Sequence, residues 1–126
     1  MNILLWTLQG LLAVAFFAHG AMMLFPPAAV AEQMNAALSR WFQIFIGVSE
    51  VAAAIGLTLP GITRIQPWLV SAAAAGLMIV MISATVFHLT RGEIGSAATT
   101  LVLLAMATVV AYMRWRVAPI RSRVTV

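Results

Sequence analysis

The sequence predicts an all-α integral membrane protein, a four-helix bundle with both termini in the cytoplasm. Three observations predict it. Of 126 residues, 63% are hydrophobic and only 8% charged, whereas a soluble domain carries roughly 25% charge to keep its surface wet. The apolar residues fall into four long runs, each near the roughly 20 residues that cross a bilayer. None of the runs shows the period-two alternation of a strand, and a backbone in lipid must satisfy its own hydrogen bonds. The four runs use nearly the whole chain, so we read one transmembrane domain over residues 1–126.

The first helix is expected over 3–25, ended by Pro26 and Pro27. Its opening, MNILLW, lacks the positively charged start of a signal peptide, and the apolar run is long enough to span. The following PPAAVAEQMNAALSR is the longest connection. Val30, Met34, Ala37 and Leu38 share one helical face in it, which predicts a short helix lying on the outer interface. The second span is expected over 40–59, stopped by Pro60 and Gly61. The third opens on Pro67, a favourable first helical residue, and covers 67–90. The fourth covers 94–115. Ala72 and Gly76, and likewise Gln43 and Gly47, are spaced four apart and suggest close helix contacts.

Arginine sets the orientation. The chain has seven arginines and no lysine. Arg114, Arg116, Arg121 and Arg123 lie at or after the fourth span, and Arg64 lies between the second and third. The other side carries Arg40 and Arg91, offset by Glu32 and Glu93. The positive-inside rule places the arginine-rich side in the cytoplasm. Trp6, Trp68 and Trp115 mark inner boundaries and Trp41 an outer one, as rings at headgroup level do. The C-terminal RWRVAPIRSRV reads as a topology anchor facing anionic lipid. This arrangement makes a nucleic-acid partner the wrong reading of the +4 charge. The absence of cysteine excludes disulfides, thiol nucleophiles and thiolate-held clusters.

Polar residues inside the spans are few and clustered by depth. At about 1.5 Å per residue, His19 lies roughly 9 Å and Glu50 roughly 15 Å from the outer ends of their helices. Gln43, Ser83, His88, Thr99 and Thr100 also fall in the outer half, leaving Thr7, Gln9, Thr58, Ser71 and Thr108 for the inner half. All titratable intramembrane residues are thus expected in the outer half or at the midplane. A charge at the bilayer centre costs about 2.5–3.5 kcal/mol even on the lenient scale. Glu50 must therefore face the interior, neutral or paired. Gln43, Gly47, Glu50 and Ala54 share one face. Glu50 then acts as a proton acceptor or a headgroup anchor, or it is a neutral acid tying two helices together.

His19 is a partner for Glu50 across the bundle, a ligand contact, or an imidazole satisfied near the interface with Gly20 admitting a neighbouring helix. His88 is a ligand contact or an interfacial histidine. The ligand-binding candidates are His19, Gln43, Glu50, Ser83 and His88. A metal site is not expected, because the candidate ligands lie at different depths and no two share an i, i+3 or i+4 pair. Arg91 and Glu93, in TRGEIG, read as a solvated turn, with Glu93 suited to the start of the fourth helix.

The series HGAMMLF, GVSEVAAAIGLTLPG, PW and ATVFHLTRGE resembles the DoxX-like family of small four-helix membrane proteins, over nearly the whole chain. Members commonly carry a lysine shortly after the glycine ending helix one, and Met23 stands at that place here. The resemblance implies a multi-pass protein of the bacterial inner membrane. It does not imply one activity, since relatives are associated with thiosulfate:quinone oxidoreduction, redox-stress complexes and membrane-protein assembly.

Three functional expectations follow. The first is a non-enzymatic accessory or assembly subunit, homo-oligomeric or bound to a partner membrane protein, with an outer-half polar pocket for a small amphipathic ligand or lipid. The second is a membrane subunit of a quinone-linked oxidoreductase, with Glu50 as proton acceptor and quinone as its cofactor. That reading needs a partner subunit, because the chain supplies no redox centre. The third is a small oligomeric transporter.

Overall fold

The computed structural model describes residues 2–123. Helix α1 covers Asn2–Leu24, α2 Ala28–Ala37, α3 Arg40–Thr63, α4 Trp68–Thr90 and α5 Ile94–Tyr112, and a π-helical turn, Met113–Val117, continues α5. The described residues contain no strand. The long helices α1, α3 and α4, and α5 with its π-turn, are each long and apolar enough to cross a membrane.

Local chemistry explains the boundaries. Pro26 and Pro27 end α1, and Pro27 also caps α2, where a missing N–H costs nothing. The short helix falls where Val30, Met34, Ala37 and Leu38 predict it, with those four partly covered and Glu32 and Gln33 exposed. Ser39 caps α3 by accepting from the Phe42 N–H at 3.3 Å. Between α3 and α4, Arg64 and Gln66 take left-handed backbone conformations, with φ of 60° and 47°. Arg64 is held there from the C-terminal segment. Its carbonyl accepts from the Arg123 N–H at 2.8 Å, and its Nε donates to the Arg121 carbonyl at 3.0 Å.

The expected stop at Pro60 is corrected. Helix α3 runs through Pro60 to Thr63. Proline withholds one donor and crowds the carbonyls of the preceding turn, but neighbouring helices can satisfy the groups so freed. The carbonyl that Pro60 leaves without its helical donor is that of Gly56; one residue on, the Leu57 carbonyl, in the turn that the ring crowds, accepts from Gln9 Nε2 on α1 at 2.7 Å.

In packing, α1 lies mainly on α3 and α4 mainly on α5. The α3–α4 contact joins the two pairs, and α1 also touches α5. The core between them holds Leu12, Phe16, Leu57, Val70, Leu77, Met81 and Val110. Val14, Phe45, Ile79 and Leu101 point outward, as lipid-facing residues must.

Small residues set the closest approach, though not all the expected ones do. Ala72 and Gly76 are exposed, because α4 buries the face formed by Val70, Ser71, Ala74, Leu77, Met81 and Thr85. The tight contact is between Gly20 and Gly47. A Cβ on Gly20 would lie 2.9 Å from the Gly47 carbonyl oxygen, and one on Gly47 would lie 2.9 Å from the Gly20 carbonyl oxygen.

The four long helices leave two ends. One, the basic end, gathers Asn2, the 64–67 turn, the π-turn and 118–123, tied by contacts between Arg114 and Asn2 and between Arg64 and Arg121. The other, the far end, gathers the end of α1, helix α2, the start of α3 and the 91–93 turn.

Candidate functional site

The Gly20–Gly47 contact decides what lies beside it. Gly20 is followed across the interface by the Glu50 side chain, whose Cβ sits only 3.2 Å from where a Gly20 Cβ would be. Its chain neighbour His19 therefore reaches Glu50 directly. His19 Nδ1 and Glu50 Oε2 lie 2.6 Å apart and share a hydrogen bond. The two ends of this pair live in different surroundings. The Glu50 side chain is 2% exposed and that of His19 is 45% exposed. The carboxyl group is thus sealed between α1 and α3, and its contact with the outside runs through the imidazole. Nε2 of His19 makes no hydrogen bond to any described residue.

Just toward the basic end from this pair, α1 and α3 part slightly. A shallow groove of about 360 Å³ opens there, lined by Ala13, Val14, Phe17 and Ala18 of α1 and by Ala54, Ile55 and Thr58 of α3. Ala18 precedes His19, and Ala54 is one helical turn past Glu50. The groove is almost wholly apolar, since the Thr58 hydroxyl donates to its own helix at the Ala54 carbonyl.

Toward the far end the pair is roofed by a polar junction. Arg40 donates to the Met23 carbonyl at 2.8 Å and to the Leu24 carbonyl, closing the last turn of α1. Met23, which replaces the lysine of the resemblance, thus offers only its backbone, and the cation comes from α3. Gln43 is fully buried. Its Nε2 donates to Asn35 Oδ1 at 3.0 Å and to the Leu38 carbonyl at 2.9 Å, and its Oε1 accepts from Arg40 at 3.3 Å. Gln43 shares the buried face of Glu50 but is committed to joining α2 and α3.

The other two candidates lie apart from Glu50. Ser83 is exposed and its hydroxyl donates to the Ile79 carbonyl of its own helix at 3.0 Å. His88 Nδ1 is hydrogen-bonded to Glu93 Oε2 at 2.7 Å, and Glu93 Oε1 accepts from Arg91 Nε at 2.7 Å. The Arg91 guanidinium, then the His88 hydrogen bond, hold the Glu93 carboxyl below the usual carboxylate range. Between α4 and α5, the Thr85 and Thr100 hydroxyls meet at 2.7 Å in a buried contact.

A polar cluster at the basic end corrects the expected depth distribution. Arg114, read from sequence as part of the anchor, is only 4% exposed. Its Nε donates to Gln9 Oε1 at 2.7 Å, and its Nη1 to Asn2 Oδ1 at 2.7 Å and to the Ala118 carbonyl at 3.0 Å. Its guanidinium carbon lies 5.3 Å from the Trp6 ring centroid. The half of the molecule at the basic end therefore holds a buried charge. One signal was present: Arg114 lies four residues past Val110 on the face that α5 buries.

The comparisons with known proteins add the family. No curated protein and no solved structure matches this chain. The model of the DoxX-like family matches residues 7–110, a span that includes all of α3 and α4, most of α1 and α5, and the His19–Glu50 pair. On that match, and with four helices fit to cross a bilayer, the chain belongs to the DoxX-like family of multi-pass membrane proteins.

Proposed function

We propose that the chain is a non-enzymatic accessory subunit of a bacterial inner membrane that holds an amphipathic molecule at His19. The observation that carries this is the asymmetry of the 2.6 Å pair: a sealed carboxyl group behind a half-exposed imidazole. A carboxyl fixed by one ring nitrogen orients the other and tunes its hydrogen-bonding character. The ligand's polar head would bond Nε2, and its apolar part would lie along the neighbouring groove between α1 and α3. That division, a mostly apolar surface with one placed polar group, is how small-molecule sites are built.

Gentle extraction followed by native mass spectrometry tests this. A small molecule bound to the wild-type protein and lost from His19→Leu is the expected result. A wild-type protein without any bound small molecule, or equal retention in His19→Leu, overturns it.

A second reading is favoured by the short shared hydrogen bond. In a quinone-linked oxidoreductase, Glu50 would take up a proton passed through His19, and a partner subunit would supply the redox centre. Carboxylate–histidine relays of this type are a recurrent use of intramembrane ionisable groups. Under that reading Glu50→Gln abolishes quinone-linked turnover in native membranes while quinone stays bound. Turnover at the wild-type rate in Glu50→Gln removes it.

A further inference from the structure

A second cavity lies at the basic end, well away from His19. It is a cleft of about 610 Å³ between the start of α4 and the segment following α5, with Trp68, Ser71, Arg114, Trp115 and Ile120 among its walls. Three observations bear on what it holds.

The first is the state of Arg114. Its partners, Gln9, Asn2 and the Ala118 carbonyl, are all neutral oxygens. Its buried Nη2 has no hydrogen-bond partner among the described residues. The Trp6 ring offers a quadrupole and not a countercharge. A buried guanidinium without an anion is an uncompensated charge. The second is the composition of this end. It carries Arg64, Arg114, Arg116, Arg121 and Arg123, while the acidic side chains of the chain are Glu32, Glu50 and Glu93, none of them here. No acidic side chain of this protein can therefore neutralise Arg114. The third is the lining. Trp68 and Trp115 are more than half exposed at the cleft, where aromatic rings suit the headgroup boundary. Ile120 reaches under Gly61, its Cδ1 lying 2.9 Å from where a Gly61 Cβ would be.

We propose that this cleft is a binding site for one anionic phospholipid of the leaflet at the basic end. Its phosphate sits beside Arg114 and supplies the missing charge. The first carbons of its acyl chains lie against Trp68, Trp115 and Ile120. The chemistry recognised is a phosphate whose charge no cation in its own headgroup neutralises, joined to an apolar tail. The Arg64 contacts to the Arg121 carbonyl and Arg123 N–H hold the segment that forms the outer wall.

Native mass spectrometry of the purified chain, with phosphatidylglycerol or phosphatidylcholine of the same acyl composition added, tests the proposal. The expected result is one retained phosphatidylglycerol per chain, favoured over phosphatidylcholine by about tenfold, in line with a charge-assisted contact away from water. Ser71→Leu, which fills the cleft and leaves Arg114 in place, should remove that preference. Arg116→Gln, which removes an equal charge from the exposed surface, should leave it within about twofold. Equal retention of the two lipids overturns the proposal, as does an equal effect of Arg116→Gln and Ser71→Leu. Displacement of the phosphatidylglycerol by excess inorganic phosphate also overturns it, since the site then reads a free anion without a tail. If Ser71→Leu fails to fold, Trp68→Ala tests the tail-binding wall from its exposed rim. Retention of phosphatidylglycerol should then fall about threefold, as for one lost aromatic contact, and unchanged retention overturns the proposal.

Discussion

Substituting Gly20 by alanine tests the contact on which the His19–Glu50 geometry depends. A Cβ at Gly20 would meet the Gly47 carbonyl oxygen and Val51 Cγ2 at 2.9 Å, and Glu50 Cβ at 3.2 Å. Ordinary contact begins near 3.4 Å. The Val51 methyl can turn away, but the Gly47 oxygen is backbone in the middle of α3 and moves only with its helix. Helices α1 and α3 must then separate locally by about 0.5 Å, an overpacking strain of roughly 1–3 kcal/mol. Because His19 adjoins Gly20, the 2.6 Å hydrogen bond lengthens with it. The internal control is Gly76→Ala, where nothing lies within 4 Å of the new Cβ. There, alanine's better helix propensity should leave stability unchanged or raise it by up to about 1 kcal/mol. Thermal unfolding in mild detergent, followed by circular dichroism, compares the two variants. The reasoning fails if Gly20→Ala unfolds at or above the wild-type temperature, or if both variants shift alike.

Three further outcomes are expected. Glu50→Gln preserves the side chain's volume and one hydrogen bond to His19, so it should cost less than about 1.7 kcal/mol, the upper range for hydrogen bonds between membrane helices; a larger loss in the same unfolding assay would show that the pair is ionic. Arg40→Ala removes charge-assisted bonds to the Met23 and Leu24 carbonyls and should cost about 1.5 kcal/mol, while Arg40→Lys should restore less than half of that, since an ammonium does not fork across two carbonyls. Glu93 is held below its ordinary value of 4.5, so its contribution to stability is complete above that pH and is lost as pH falls through the depressed value. An acid titration should therefore destabilise the wild-type protein more steeply below about pH 4.5 than Glu93→Gln, and parallel curves would remove Arg91 and His88 as its partners.

Much of the helical arrangement was legible because lipid makes severe demands on composition. Runs of about 20 apolar residues show as helices without knowledge of their neighbours. The face bearing Gln43, Gly47, Glu50 and Ala54 was legible for a related reason: a carboxylate in a span has nowhere to go but inward. The partner of Glu50 was less accessible. Several polar residues shared the outer half, and depth along an axis does not say which helices are adjacent. Only the packing of α1 on α3 separates His19, which meets Glu50, from His88, which meets Glu93. Two readings failed because a local rule was outweighed by a distant contact. Pro60 normally ends a helix, yet Gln9, 51 positions earlier, donates to the Leu57 carbonyl in the turn that the proline disturbs. Arg114 sits in a run of arginines that has the pattern of an anchor, and Gln9 and Asn2 draw it inward. The spacing of Arg114 from Val110 marks a buried face, but the partners in such long-range contacts leave no periodic trace in a sequence.

The depth of Glu50 has an electrical consequence. The residue is ten positions past Arg40 at the start of α3, roughly 15 Å along a helix axis. That is about half of a hydrocarbon layer close to 30 Å thick. With the start of α3 at one face of the bilayer, a proton moving between that face and the His19–Glu50 pair crosses about half of any transmembrane voltage. A full crossing is worth about 2.3 kcal/mol per 100 mV, so the half-crossing is worth about 1.1 kcal/mol per 100 mV. A charge moved onto the pair in an energised membrane is thus worked on by the voltage, and in detergent it is not.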